Sequence, residues 1–266
     1  MSADAADKGE LTTWITVTPD DLVTILIPHC EMGQGSQTGL AMMAAEEMEA
    51  DWDRVRIREA PALDAYANAY MLRAFTGDSM PAPVGRAVDY GAYRLARWFG
   101  TQVTGGSLAV RGTGYGMQMA GAAAREMLLA AAAERFGVPV DECRAERSRV
   151  THPWSRQSAG FGDLAKAAAA MPAPANPPLK DPDAYPIRRP RKPRFDIPPK
   201  VDGSATYGID FALPGMLYAA VDIAPVQGGR LVSVDPAPAQ AMPGVHQVVE
   251  LDEAVAVVAD SCWRAR

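Results

Sequence analysis

Cysteine is scarce in this sequence. Only Cys30, Cys143 and Cys262 occur among 266 residues, and no two form a CxxC pair. Zinc and iron–sulfur sites need clustered thiolates, so neither is supported. A disulfide framework is equally unsupported, and a reducing compartment is the simpler reading. No apolar run reaches membrane-spanning length, and the alanine-rich LLAAAAERF is interrupted by charge. The N-terminus, MSADAADKGELTTW, lacks a basic n-region, an apolar h-region and a twin arginine. That absence points to the cytoplasm. Net charge is mildly acidic, at −6, and no basic patch carries interleaved aromatics, which argues against nucleic acid as a partner. The one basic cluster, Arg188, Arg189, Arg191, Lys192 and Arg194, sits among prolines and reads as a solvated linker. His29, His152 and His246 have no partners at metal-ligand spacing and read as structural. No Ser/His/Asp or Cys/His constellation is apparent.

What remains is a chain with apolar residues enough for a core and for one or two domains. TTWITVTPDDLVTILIPH reads as two strands joined by a tight turn at Pro19-Asp20-Asp21. A helix is expected from about Gly39 to Ala50. Leu40, Ala44 and Met48 share one face, and Glu46 and Glu47 are read as solvated. DRVRIREA alternates strictly and marks a half-exposed strand. Further helical patterns cover Ala87–Trp98, Met117–Phe136 and Gly162–Met171, the second ended by Gly137 and Pro139. The methionines on these patterns read as core filler.

Residues 172–199 hold ten of the 22 prolines and carry no apolar period. They read as an extended connector over the surface. From Lys200 the texture changes to short β-like runs: SATYGID, GMLYAAVDI, RLVSVD, GVHQVVEL and AVAVVAD. DPAPAQAMPGV suggests a brief helix among them. The expected organisation is therefore a segment over residues 11–171, a connector over 172–199 and a small α+β domain over 200–266. The last strand is expected at the terminus with nothing packed over it.

Two stretches could carry chemistry. In EMGQGSQT, glycines flank Gln34, which offers one acceptor and two donors. Glycine permits left-handed backbone and close approach of a ligand. The helix that follows would aim its free N–H groups at an anionic group. An ordinary strand–turn–helix corner explains the same residues. The second stretch is TGGSLAVRGTGYGMQMAGAAAR, with five glycines between Gly105 and Gly116. A glycine-rich loop opening a helix can wrap a pyrophosphate, and a nucleotide-binding domain using this loop is one reading. It is neither a Walker A motif nor a proper GxGxxG. A flexible loop with close helix packing through AGAAA is the other reading.

Taken in order, IPHCEMGQGSQTGLAMMAAEEMEADWDRVRIREAP, YAN, TGGS, MAGAAAREMLLAAAAERFGV, LKDP, KVDGSATYGIDFALPGMLYAAV and AVAVVADSCWRA closely resemble one family. It is the molybdenum-binding large subunit of the xanthine dehydrogenase/aldehyde oxidase family, of the isoquinoline 1-oxidoreductase beta-subunit type. The resemblance runs from about Trp14 to Arg266. It implies an α/β (α+β) fold: the N-terminal portion of a molybdopterin-binding domain, then a partial a/b hammerhead domain.

The resemblance also implies an activity. Such an enzyme oxidises an N-heterocycle or an aldehyde with water-derived oxygen. Its cofactor is molybdenum on molybdopterin, as the cytosine dinucleotide in bacteria. Its electrons pass to a small subunit with two [2Fe–2S] clusters. Gly33, Gln34 and Gly35 are similar to the family's GQG cofactor loop, with Thr38 as support. Gly105, Gly106 and Ser107 are similar to its GGS stretch. Gln118 stands where the family commonly has arginine. Family subunits are much longer, and their catalytic glutamate lies near the far C-terminal end. No catalytic residue and no metal ligand are therefore assigned in this chain, and the C-terminal portion of the large subunit is an expected partner. Members often carry a twin-arginine signal on this chain or a partner, which makes the periplasm the alternative compartment. The alternative function is a non-catalytic truncated or assembly module that binds partner chains.

Overall fold

A computed structural model describes residues 9–68, 81–188 and 190–266. Arg189 of the basic cluster lies outside them. The chain divides into two compact units, Met1–Val201 and Asp202–Arg266.

The first unit is built on a sheet of four strands in the order β1 (Glu10–Thr12), β2 (Ile15–Val17), β3 (Val23–Ile27), β4 (Val55–Glu59). The two predicted strands pair antiparallel across the turn at Pro19-Asp20-Asp21, with Ile15 opposite Ile25. β3 and β4 run parallel, with Val23 opposite Val55. A parallel pair needs a crossover, and helix α1 (Ser36–Met48) supplies it. In β3 the alternation is complete, since Val23, Ile25 and Ile27 are buried while Thr24 and Leu26 are half-buried. The arginines of β4, Arg56 and Arg58, are exposed, as its alternation requires.

Helix α1 starts earlier than its apolar period suggests. Gly35, in left-handed conformation at φ 77°, is its N-cap. Leu40, Ala44 and Met48 are fully buried on its inner face. Glu46 and Glu47 are fully buried too, which corrects the solvated reading. The long helix α3 (Ala109–Phe136) packs across α1, ended by Gly137 at φ 69°. Helix α2 (Ala82–Phe99) precedes it and stops at Gly100. Close packing through AGAAA is real: a Cβ at Gly121 would stand 2.1 Å from the Ala44 carbonyl oxygen. A second sheet, β5 (Arg144–Glu146), β6 (Arg149–His152) and β7 (Gln157–Gly160), leads into α4 (Phe161–Ala169). Leu11, Met48, Met127, Leu128, Phe161 and Leu164 all join one apolar core.

The proline-rich segment is more than a surface strap. Tyr185 and Ile187 are buried, and the buried carboxylates of α1 hold the chain here. Glu46 accepts the backbone N–H groups of Ile187 (2.7 Å) and Arg188 (2.9 Å) and pairs with Lys180 Nζ (3.2 Å). Glu47 accepts Lys180 N–H (2.8 Å) and the Tyr185 hydroxyl (2.9 Å). The Gln118 amide also reaches Glu47 Oε1, at 3.4 Å. Burial, then the Glu47 carboxylate, pushes the Tyr185 phenol above its ordinary pKa. A buried charge persists only when paired and hydrogen-bonded, and these are. The segment ends in a short helix, α5 (Ile197–Asp202).

The second unit is an antiparallel sheet in the order β8 (Tyr218–Ile223), β10 (Ala254–Ala259), β9 (Val245–Glu250). A short helix, α6 (Ala237–Gln240), precedes β9. SATYGID forms a 3-10 turn at Gly208–Asp210 and RLVSVD is irregular, so neither is a strand. AVAVVAD is the middle strand, with Ala254, Ala256 and Ala259 buried. A final turn of helix, α7 (Cys262–Ala265), packs on β8 and β10. The expectation of a bare last strand is thereby corrected.

Candidate functional site

β3 ends at Ile27, and the chain turns through Pro28, His29 and the EMGQGSQT stretch into α1. The two glycines take up left-handed conformations, Gly33 at φ 99° and Gly35 at φ 77°. A side chain at either position would be strained. A Cβ at Gly33 would meet nothing within 4 Å, so conformation and not crowding accounts for this glycine.

Gln34 is exposed, but its amide is not idle. Nε2 donates to the Cys30 carbonyl (2.8 Å) and to Ser36 Oγ (2.8 Å), and Oε1 accepts Met32 N–H (2.6 Å). The side chain stitches its own loop and shows a flank to the outside. The expectation of free N–H groups at the helix start is corrected at Gln37, and the two glycine amides ahead of it are taken too. Glu31 Oε1 accepts from Gly33 N (2.9 Å) and Gly35 N (2.8 Å), and Oε2 accepts from Gln37 N (3.3 Å). The anion that a helix N-terminus favours is thus already supplied by the chain.

The second stretch is also reshaped. α3 begins at Ala109, so Gly112, Gly114 and Gly116 lie inside it. The loop proper is only about residues 101–108, closed by Gly106 (φ 46°) and Ser107 (φ 64°). A long glycine loop wrapping a pyrophosphate is therefore not what these residues build. Gly114 answers to packing, since a Cβ there would stand 2.9 Å from Met43 Sδ. Gly112 and Gly116 face open space, and nothing among the described residues explains them.

His29 joins the two loops. Its Nδ1 lies 3.3 Å from Thr104 Oγ1 and its Nε2 lies 2.8 Å from Thr113 Oγ1. Thr104 Oγ1 also accepts Cys30 N–H at 3.0 Å. Burial pushes the imidazole below its ordinary pKa, against a smaller opposite pull from Val103. The histidine is a neutral bridge, in keeping with the structural reading.

Together the loops enclose a cleft of about 500 Å³. Gln34, Gly35, Gly105, Gly106 and Ser107 line it, with Ser36, Thr104, Met32 and Val110. Gly33 and Thr38 are not on its wall. The Gly33 carbonyl accepts from Arg194 Nη1 (2.6 Å), and buried Thr38 accepts Phe195 N–H through Oγ1 (3.2 Å). Arg194 is thus no part of a merely solvated linker. It also contacts Glu31 Oε1 (3.3 Å) and is forked by Asp196 through Nε (2.8 Å). The guanidinium beside Asp196 holds that carboxyl far below the usual range. Gln118 is half-buried, faces Glu47 and Tyr185, and is not on the cleft wall.

Sequence reasoning does not single out Glu31, His29, Thr104 or Arg194 as site residues. Thr104 carries a local signal, because it directly precedes Gly105 and Gly106. Arg194 carries none, since only folding brings it to Gly33.

A family model described as molybdopterin cofactor-binding domain matches residues 2–84, which include EMGQGSQT. The beta subunit of isoquinoline 1-oxidoreductase from Brevundimonas diminuta is 35% identical, covering 100% of this chain and 36% of that protein. Over its whole length the chain resembles a portion of the molybdenum-binding large subunits of the xanthine dehydrogenase/aldehyde oxidase family. Two more relatives agree in span. The membrane-bound aldehyde dehydrogenase (pyrroloquinoline-quinone) of Gluconacetobacter polyoxogenes is 31% identical over 94% of this chain and 29% of its own length. A nicotinate dehydrogenase subunit of Pseudomonas putida strain KT2440 is 29% identical over 95% of this chain and 19% of its own. The chain thus spans about a third or less of the curated relatives it matches.

The cleft suits part of such a cofactor. Its wall carries no charged side chain, only amide, hydroxyl, glycine and apolar groups. That set fits the edge of a neutral, polar ring such as a pterin. The amides of Gly33 and Gly35 are already taken by Glu31 and are not free for an anionic group. Among the described residues no His/Cys/Asp/Glu group could hold a metal ion directly. No described helix is long and apolar enough to cross a membrane.

Proposed function

We propose that this chain forms one wall of the cofactor site in a molybdenum hydroxylase large subunit. The enzyme oxidises an N-heterocycle or an aldehyde with oxygen drawn from water and passes electrons to a [2Fe–2S] subunit. The observation that carries this reading is the convergence of Gln34 and the Gly105-Gly106-Ser107 turn on one neutral cleft. The two stretches are far apart in sequence, and a turn needed only for local geometry has no reason to face the other.

The bound cofactor would supply the redox chemistry. The chain's own residues bind and orient. Gln34 and Ser36 line one side of the cleft and Thr104 and Ser107 the other. Gln34 Nε2 is spent on Cys30 and Ser36, so Oε1 is the atom of that amide with capacity left for a ligand. Gly35, Gly105 and Gly106 keep the wall low so that a flat ring can approach. His29 fixes the distance between the loops. Met32, Ala109 and Val110 give apolar cover and limit water. The cytosine dinucleotide is the cofactor form that the bacterial branch implies. Residues 200–266 are read as an incomplete a/b hammerhead domain, and the remaining large-subunit portion completes the site.

The alternative, a non-catalytic assembly module, drew on a bare terminal strand. With β10 in the middle of its sheet, that support is absent. The test is to co-express the chain with the rest of the large subunit and the iron–sulfur subunit, then measure metal by mass spectrometry. Molybdenum near one atom per assembled enzyme is the expected result. An assembled complex without molybdenum overturns the reading.

A further inference from the structure

The loop that carries Gln34 contains two glycines in left-handed conformations, and such a loop is intrinsically loose. Something must hold it if Gln34 is to meet a ligand in one orientation. The apolar core does not, because Met32, Gly33 and Gln34 are exposed. The structure shows a different device, made of charge.

Resting on the reading of this loop as a cofactor wall, we propose that Arg194 is a positioning residue. It fixes Glu31, and Glu31 fixes the two glycines that flank Gln34.

The geometry is specific. The Glu31 side chain is 7% exposed. Its carboxylate takes the N–H groups of Gly33, Gly35 and Gln37, one on the near side of Gln34 and two beyond it. Arg194 Nη2 meets that carboxylate at 3.3 Å, while Nη1 donates to the Gly33 carbonyl at 2.6 Å. The guanidinium thus closes a ring through the loop, holding both a carbonyl and the group that holds the amides. Its stem covers the loop as well: the Arg194 Cδ lies 3.7 Å from where a Gly35 Cβ would stand. The far side of the guanidinium is locked by Asp196, and Lys200 Nζ holds Asp196 at 2.6 Å. The next residue, Phe195, donates to Thr38 in the first turn of α1.

The connector therefore grips both ends of the loop. Its own anchorage is separate, at Glu46 and Glu47. Loss of Arg194 should loosen the loop and leave the core intact. Lysine is a poor substitute, because one ammonium cannot reproduce a planar fork that serves three acceptors.

The test is amide hydrogen exchange on the full chain, with Arg194→Gln, Arg194→Lys, Glu31→Gln and the Arg194/Glu31 double variant. In Arg194→Gln, exchange across residues 31–38 is expected to rise about tenfold, the loss of one charge-assisted hydrogen bond. Residues 117–136 should keep their protection. Arg194→Lys should fall between wild type and Arg194→Gln. The double variant should exchange faster than Glu31→Gln alone, because the bond from Arg194 to the Gly33 carbonyl is lost as well, but by less than the two single effects combined, since the rest acts through one linkage. Unchanged loop exchange in Arg194→Gln overturns the proposal, and so does an equal rise throughout the chain. A second arm measures kcat and molybdenum in the assembled enzyme carrying Arg194→Gln. The expected result is a lower kcat with KM little changed. If loop exchange rises while kcat and molybdenum hold, the clamp stands and the cofactor reading fails.

Discussion

At its N-terminal end α1 meets Glu31, and at its C-terminal end it contributes Glu46 and Glu47. All three carboxylates are buried or nearly so, and all three hold backbone N–H groups. The two ends differ in what they hold. Glu46 and Glu47 bind a distant segment into the core, beside Tyr185 and Ile187. Glu31 binds a local loop whose outer surface stays exposed at the cleft. One end is built for permanence. The other keeps glycines in place without covering them. The comparison shows how a fold can leave a site open while limiting its freedom, with one device, a carboxylate holding backbone N–H groups, serving an open rim and a closed interior.

The largest effect should come from the closed end. Glu46→Ala leaves two backbone N–H groups and Lys180 without their acceptor in the interior. Breaking a buried pair costs about 3–5 kcal/mol, and urea denaturation should read a loss of that size. A loss near zero would mean that the connector does not rest on this carboxylate.

Gly121→Ala comes next. The new methyl would be driven into the Ala44 carbonyl, and overpacking of this kind costs about 1–3 kcal/mol. The thermal midpoint should fall while the Gln34 loop keeps its exchange pattern. A shift confined to the loop would erase the distinction between the two ends.

A third prediction concerns pH. The His29 imidazole is held below its ordinary value by burial. Between the folded value and about 6.5 the unfolded chain binds more protons than the folded one. Stability is therefore fully present above that window and is lost as pH falls through it. The slope should not exceed about 1.4 kcal/mol per pH unit. It should be reduced in His29→Gln, as read by urea titrations between pH 5 and 7.5.

The smallest effect should be that of Ser36→Ala. It removes one of the two acceptors of the Gln34 amide, worth about 0.5–1 kcal/mol. The global midpoint should barely move, and exchange at residues 31–36 should rise slightly.

Much of this was legible in the sequence. The strand–turn–strand reading of TTWITVTPDDLVTILIPH gave β2 and β3, the alternation in DRVRIREA gave β4, and Leu40, Ala44 and Met48 gave the inner face of α1. Gly137 and Pro139 marked the end of α3. The misreadings share a cause. Glu46 and Glu47 look like solvated residues because nothing local reveals partners at 180–188, and tertiary pairing overrode the usual exposure of glutamate. Gly112, Gly114 and Gly116 look like loop residues because glycine is a poor helix former, yet a strong helix running from Met117 carried them along. RLVSVD has strand composition without a neighbouring strand to pair with, and composition alone does not make a sheet. At the site, the glycines were visible because their requirement is local. Arg194 and Glu31 were not, because their contact exists only in the folded chain.

The central claim is that Gln34 faces a cofactor while Glu31 and Arg194 keep its loop folded. Gln34→Ala in the assembled enzyme tests it most directly, with turnover and thermal midpoint measured side by side. The account predicts a clear loss of turnover at an almost unchanged midpoint, because Glu31 still holds Gly33 and Gly35. Unchanged turnover in that variant would contradict it.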